Sequence, residues 1–569
     1  MKAWYLGNTT VRSALRLREG LLVIKEYELE GKIRGAQGDA ELRSCFGQAG
    51  LVSLGYDKTN SVGRKWRSAL EKLGFLIPKL PNKLSPIQAV IGKYDHISKN
   101  GHNLIDSDNL QTWQECYLRA LSAYRITGDD GDLSFSPFSF VLKVMIGLHN
   151  ETGNSKLNKD EMALFVELSG PQSNVEQIVK DIINFRSHLN SLTGNEKKTF
   201  INTKYNQTGL KLETLKNDYA DTNFRYLKAT GLFKSSYTSI LLDEDKLYIA
   251  EEISQHFWHP KDLTEYYQGL CDGAPLPTDD ITVAKQTASI FAAKLAEYNI
   301  SVSTEELNSI TEVADINAKR YEFEEQLFKI REKEFAAYQT NCTDEIIAYL
   351  DLLISNKKSK KLEDDIEIDI PSSDRPAYFE WIIWRAFLAI NSIINPPWES
   401  RNFKIDSDFK PISHATSGSS DLIFEFDDFI LVVEVTLTQS SRQEAAEGEP
   451  VRRHVANYVQ KYSHSNKKVF GLFLAIKIDI NTANTFRVGE WYLPDNSLIH
   501  VDIVPATLAD FKALFEAGSN QPNIILSILK ALLIKCRSES SKLAPEWKNL
   551  ISNHFQSEAN LLKSKITIK

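Results

Sequence analysis

The segment that most limits what this chain can fold into runs from Ser420-Asp421-Leu422-Ile423-Phe424-Glu425-Phe426 through Asp427-Asp428 to Phe429-Ile430-Leu431-Val432-Val433-Glu434-Val435-Thr436. Two runs rich in β-branched and aromatic residues flank an Asp-Asp pair, the pattern of two strands around a tight turn. Centring the turn between Asp427 and Asp428 sets Asp421 opposite Glu434, with both side chains on one face of the ladder. Cβ atoms of such a pair lie about 4.5–5.5 Å apart, where like charges repel unless something positive stands between them. The run from Phe429 to Val433 is continuously apolar, as in a strand covered on both faces, so Glu434 interrupts a core strand.

Two carboxylates placed in this way suit a divalent cation. Mg²⁺ fits the oxygen donors better than zinc, because no His or Cys stands beside the pair. Such an ion would polarise a phosphate and lower the pKa of bound water. The same residues also allow a plain structural reading, with Asp421 ending a strand and Glu434 either protonated or paired with a buried Lys or Arg. Glu425, Asp427 and Asp428 read as rim and turn residues.

Two flanking helices add candidates. In the helix expected at 376–390, Glu380 shares a stripe with Ile383, Trp384 and Phe387. It either joins the carboxylate cluster, directly or through water, or is tied to a neighbour such as Arg385 or lies on a frayed exposed edge. Downstream, Glu447-Gly448-Glu449-Pro450-Val451-Arg452-Arg453-His454 opens a helix with Pro450 in its first turn and Val451, Val455, Tyr458 and Tyr462 as its apolar stripe. His454, Tyr458 and Lys461 follow at helical spacing. His454 suits orienting a water, shuttling a proton or contacting phosphate, and equally a structural role. Arg452 and Arg453 either hold phosphate or are solvated.

The N-terminal part offers one DNA-reading candidate. Ser61 as N-cap and Gly74 as stop frame a short helix with Val62, Trp66, Leu70 and Leu73 on its apolar stripe. Arg64, Lys65, Arg67 and Lys72 then form an exposed basic face. With a helix around 39–49 before it and Phe75-Leu76-Ile77 as a wing strand after it, the segment resembles a winged helix-turn-helix. The alternative is a solvated basic face on a structural helix. Because 67 Lys and Arg stand against 75 Asp and Glu, for a net charge of −8, any nucleic-acid site must be a local basic patch on an acidic protein.

A chain of 569 residues holds several domains. Helical patterns alternate with short strands up to about 285 as two subdomains, a charged helical stretch fills 286–372, and an α/β region occupies 373–569. Ser303 and Glu306 have capping-box spacing, and Lys357-Lys358-Ser359-Lys360-Lys361 with Glu363-Asp364-Asp365 reads as solvated linker. Cys45, Cys116, Cys271, Cys342 and Cys536 lie far apart, as reduced thiols do. No apolar leader or membrane-length run is present in the sequence, and a cytoplasmic location is expected.

Taken in order, Phe379-Glu380-Trp381, Ser413-His414-Ala415, Ser420-Asp421, Val433-Glu434-Val435-Thr436, Glu447 and Glu449-Pro450-Val451-Arg452-Arg453-His454 resemble the AlwI family of type IIS restriction endonucleases. That family includes site-specific nicking enzymes and large subunits of heterodimeric enzymes. The resemblance extends over nearly the whole chain, with Trp4-Tyr5, Arg225-Tyr226 and Thr230-Gly231-Leu232-Phe233 as further landmarks. It implies a multidomain, mainly α architecture: a winged-helix-like recognition region (1–285), a helical linker (286–372) and an α/β/α PD-(D/E)xK nuclease domain (373–569). It makes Asp421, Glu434 and the Val435 carbonyl the Mg²⁺ ligands, with Glu380, Glu447 and His454 as supporting catalytic residues. Ser420 stands at the motif's Pro position and Thr436 where the general motif has Lys, although the AlwI group tolerates Thr there. This leaves water activation unassigned among His454, Lys461 and a second metal held by Glu380 or Glu447.

The expected activity is Mg²⁺-dependent hydrolysis of double-stranded DNA outside a short asymmetric site, leaving 5′-phosphates. Homodimerisation on DNA or a small catalytic subunit is the expected route to double-strand cleavage, and a cognate DNA methyltransferase is the expected companion. The alternatives are a strand-specific nickase, the large subunit of a heterodimer, a non-catalytic DNA-binding protein and, less favoured for want of an RNA-binding platform, an RNA-directed nuclease.

Overall fold

A computed structural model describes residues 3–52, 61–107, 109–126, 133, 135–236, 239–362, 367–371, 374–415, 418–519 and 521–567. Helix predominates, and the chain forms two compact units, Met1–Leu327 and Phe328–Lys569.

In the first unit, α1 (Leu17–Glu26), α2 (Gly35–Gln48) and α3 (Ser61–Lys72) pack together through apolar stripes. Trp66 and Leu70 of α3 are buried, as is Leu73 beyond it, and the Trp66 ring meets Phe46 of α2 edge-on at 4.9 Å. Gly63 permits the close approach of α3 to α2, since a Cβ there would come 2.6 Å from the Asp39 carbonyl oxygen. After Gly74, in the left-handed region at φ +69°, Leu76 makes one antiparallel bridge to Ile97 in place of an extended wing strand.

The basic face of α3 is narrower than its sequence suggests. Arg67 is 6% exposed and donates to Asp39 Oδ1 at 2.5 Å and to the Ile33 carbonyl. Lys72 donates to the Tyr5 carbonyl at 2.6 Å, and burial pushes its ammonium down to about 8. Both cations turn inward because acidic or carbonyl oxygens on neighbouring segments meet them there. Arg64 remains exposed and Lys65 half-buried.

The division between the units falls within helix α4 (Val313–Tyr338), and residue 372, like Glu363, Asp364 and Asp365, lies outside the described residues. The following helix α5 (Thr343–Ser355) buries Ile346, Tyr349, Leu350 and Leu353 in the same core as Phe379 and Trp384 of α6 (Arg375–Ile390), so this stretch is part of the second unit's core.

A short hairpin, β1 (Lys404–Ile405) and β2 (Pro411–Ser413), follows α6. A four-stranded sheet then organises the unit. It contains β3 (Leu422–Glu425), β4 (Phe429–Thr436), β5 (Lys468–Ala475) and β6 (Asp502–Thr507), in the order β6-β5-β4-β3. The β3–β4 pair is antiparallel, whereas β4, β5 and β6 run parallel. Between β4 and β5 the chain crosses over through α7 (Arg442–Lys461), and α8 (Ile480–Val488) follows β5.

Alternation along the strands makes two cores. Leu422, Phe424, Phe429, Leu431, Val433, Phe470, Leu472, Leu474 and Val504 join Phe387 of α6 and the C-terminal helices, while Ile423, Ile430, Val432, Val469, Phe473 and Ile503 meet Val451 and Val455 of α7. Helices therefore cover both faces, which explains the unbroken apolar run of β4. The helix α7 begins at Arg442, earlier than its proline suggests, and Pro450 lies inside it. A proline there leaves the Ala446 carbonyl without its helical donor, a local irregularity one residue before Glu447.

A carboxylate cluster at the end of the central hairpin

The β3–β4 register runs from Leu422↔Val433 to Glu425↔Ile430, and one further step brings Asp421 to Glu434. By parity Glu434 follows Ile430 and Val432, and Asp421 precedes Ile423, so both carboxylates lie on the α7 face. The Val435 amide, beyond the last paired residue, donates to Asp421 Oδ2 at 2.8 Å. Asn402 fixes the strand entry: its amide group donates to the Ser420 carbonyl at 2.6 Å and its backbone N–H to the Asp421 carbonyl at 3.1 Å.

Glu380 reaches the cluster from α6. It is 5% exposed, and its Oε2 accepts from the Ala415 amide at 2.7 Å. Arg385 is engaged elsewhere, donating to Gln339 Oε1 at 2.6 Å and Glu345 Oε1 at 2.7 Å. From α7, His454 Nδ1 lies 2.8 Å from Glu434 Oε1, while its Nε2 is buried without a hydrogen-bond partner. Glu447 stands next to Thr436, whose hydroxyl hydrogen-bonds its carboxylate.

The electrostatics are those of negative charges buried together. Burial first, then Glu434, push the Asp421 carboxyl well above the usual carboxylate range, against the pull of the Val435 amide. Glu380 is raised by burial and then by Asp421, and Glu434 by burial and then by Glu447, with Arg453 opposing. Burial also raises Glu447 and lowers His454. No lysine or arginine closes an ion pair with Asp421, Glu434 or Glu380 among the described residues. Lys461 instead lies against the rings of Tyr458 and Tyr462, and Arg453 donates to Glu449 at 2.9 Å.

The structure thus brings Glu380, Asp421, Glu434, Glu447 and His454 into one neighbourhood. Among the described residues no three His, Cys, Asp or Glu side chains make a ready-formed metal cage. The donors nevertheless fit a hard divalent cation: the clustered carboxylates repel one another, no lysine or arginine among the described residues forms an ion pair with Asp421, Glu434 or Glu380, and each of Asp421 and Glu434 has one oxygen fixed by a protein hydrogen bond. Sequence reasoning missed Asn402, Ala415 as an amide donor, and Gln443. Gln443 is fully buried, donates to the carbonyls of Thr438 at 2.6 Å and Lys477 at 3.0 Å, and accepts from the Asp479 amide at 2.8 Å. These contacts pin the start of α7 to the ends of β4 and β5. Backbone amides leave no sequence signal, and a lone Gln or Asn leaves little more.

The model of the AlwI restriction endonuclease family matches residues 71–514. This chain belongs to that family. It is accordingly a restriction endonuclease, a site-specific deoxyribonuclease acting on DNA. Among solved structures, the small subunit of the heterodimeric restriction endonuclease R.BspD6I is 26% identical, over 36% of this AlwI-family chain and 97% of that subunit, with a TM-score of 0.28. No curated protein matches the chain. No helix among its described residues is long and apolar enough to cross a membrane.

Proposed function

We propose that this AlwI-family enzyme is a type IIS endonuclease that hydrolyses DNA with Mg²⁺ outside a short asymmetric site and leaves 5′-phosphates. The carrying observation is the gathering of half-buried Asp421 with buried Glu434 and Glu380, none of which is in an ion pair with a lysine or arginine among the described residues. We assign the PD-(D/E)xK motif to Ser420, Asp421, Glu434 and Thr436. Asp421, Glu434 and the Val435 carbonyl would hold the ion, since N–H and C=O of one strand residue face the same neighbour and the Val435 N–H faces Asp421. When bound, it supplies charge neutralisation at the phosphate and a lowered pKa for the attacking water.

The chain's own groups do the rest. An ionised Glu434 can only accept, so Nδ1 of His454 is the donor and Nε2 carries the lone pair, the nitrogen left to take a proton in the reaction. Glu447, with Thr436 in the place of the usual Lys, and Glu380, held by Ala415, complete the acidic wall. Recognition is assigned to the first unit, with α1–α3 as the winged-helix-like element and Arg64 and Lys65 as its DNA contacts.

One such centre makes one cut. Double-strand cleavage then needs a second copy on the DNA or a small catalytic subunit, and a chain acting alone would be a nickase. A nuclease of this kind works in the cytoplasm beside a methyltransferase that masks its sites. Supercoiled plasmids incubated with protein and Mg²⁺ are expected to become nicked or linear, and Asp421→Ala to bind without cutting. Intact plasmid across many sequences would refute this reading.

A further inference from the structure

Among the described residues no lysine or arginine forms an ion pair with Asp421, Glu434 or Glu380, and a histidine stands one residue from the backbone amide that holds Glu380. His414 follows β2 and is exposed. The next residue, Ala415, is buried, and its amide holds Glu380. His414 is therefore an exposed residue one position from a backbone group that touches the acidic wall. The ring's Nδ1 lies 2.9 Å from the Ala415 carbonyl oxygen. A carbonyl can only accept, so Nδ1 carries the hydrogen and Nε2 is the nitrogen left to meet a ligand. The β1–β2 hairpin also brings Lys404 to the register position of Ser413, adding a second cationic residue to the same element.

We infer that His414 binds a non-bridging oxygen of the substrate's phosphodiester backbone at the mouth of the carboxylate site. This rests on the nuclease reading and deepens it by naming the group that grips the backbone beside the cut. As an imidazolium, His414 donates Nε2–H to the phosphate while Nδ1–H stays on Ala415. The same side chain thereby links substrate binding to the segment that positions Glu380. The bland reading, that His414 only orders the Ala415 peptide, makes a different demand: it needs the Nδ1 donor and no charge.

Three variants separate the two. His414→Ala loses both donor and charge, His414→Asn keeps a donor near the Nδ1 position, and His414→Arg restores a phosphate-binding cation. On a plasmid that the wild type cuts, His414→Ala and His414→Asn are each expected to slow single-turnover cleavage about 10- to 100-fold, and His414→Arg to recover to within about threefold of wild type. All three variants should still shift site-bearing DNA in a gel without divalent metal, because recognition is assigned to the first unit, and this keeps a cleavage defect from being read as lost folding or lost recognition. Recovery by Asn but not Arg, or cleavage by His414→Ala within about threefold of wild type, would overturn the assignment. A wild-type enzyme that cuts no plasmid would overturn the nuclease reading, and His414's role with it.

Discussion

His454 Nδ1 and Glu434 Oε1 stand 2.8 Å apart with both side chains buried, and the other ring nitrogen has no partner. A buried imidazole fixed on one side by a carboxylate, with its second nitrogen buried and unpartnered among the described residues, keeps one nitrogen in reserve to accept a proton. Replacing His454 with Ala is expected to lower the single-turnover cleavage rate about 10²- to 10⁴-fold while leaving DNA binding intact. Rapid-quench cleavage alongside a gel shift checks this. A variant that cuts at the wild-type rate would relegate His454 to packing.

The carboxylate cluster also makes a prediction about stability. Asp421, Glu380 and Glu434 are all raised, with burial as the largest cause, so in metal-free protein the folded state holds protons that the unfolded chain has released. Stability of that form falls as pH rises above the ordinary carboxylate range, because the folded state binds more protons there. Adding Mg²⁺ at about 100 times its Kd is expected to restore about 2.7 kcal/mol to the wild type. Asp421→Asn should melt higher than wild type without metal and gain little from Mg²⁺. Thermal melts at neutral pH with EDTA or Mg²⁺ read both effects, and a wild type insensitive to divalent cations would contradict them.

Much of this site is legible in the residues because a strand repeats every second residue. Once the turn is centred between Asp427 and Asp428, the alternation fixes which side chains share a face, and the Leu422↔Val433 register follows. Glu380 shows itself as a polar residue on an apolar helical stripe, and His454 by its helical spacing with Tyr458 and Lys461. Periodicity cannot say what a helical cation will meet: Arg67 has the spacing of an exposed residue and is captured by Asp39, which lies on another helix. Nor did Pro450 mark the start of α7, because packing of Val451 and Val455 on the sheet and the Gln443 contacts sustain two further turns ahead of it. The Phe328–Tyr338 end of α4 and all of α5 look like linker by charge, yet the buried stripe of α5 belongs to the second core.

In the first unit, Glu167 carries a pH response separate from the cluster. It is fully buried; its Oε2 accepts from Asn223 at 3.2 Å and its Oε1 has no partner. Burial pushes its carboxyl up to about 9, against an ordinary value of 4.5. The folded form thus keeps a proton across that window, and its stability declines by up to about 1.4 kcal/mol per pH unit on this account. Glu167→Gln removes the titration. Its melting temperature relative to wild type is expected to rise steadily from pH 5 to pH 9; a gap independent of pH would show that Glu167 does not titrate there.

Arg64 and Arg67, three residues apart on α3, are expected to behave in opposite ways. Arg67 is buried against Asp39 Oδ1 and the Ile33 carbonyl, so Arg67→Ala strands an acidic group and a carbonyl at the α2–α3 contact. Breaking a buried pair from one side costs about 3–5 kcal/mol, and the loss should appear in denaturant unfolding of the first unit. Arg64 is exposed, and its replacement should leave stability within about 0.5 kcal/mol of wild type. If Arg64 touches a phosphate, Arg64→Ala weakens binding on all sequences and lowers the salt slope by about 1; if it reads a base, specificity relaxes at one position. A stable Arg67→Ala variant with impaired DNA binding would instead return Arg67 to the interface and require its Asp39 bond to open when DNA arrives.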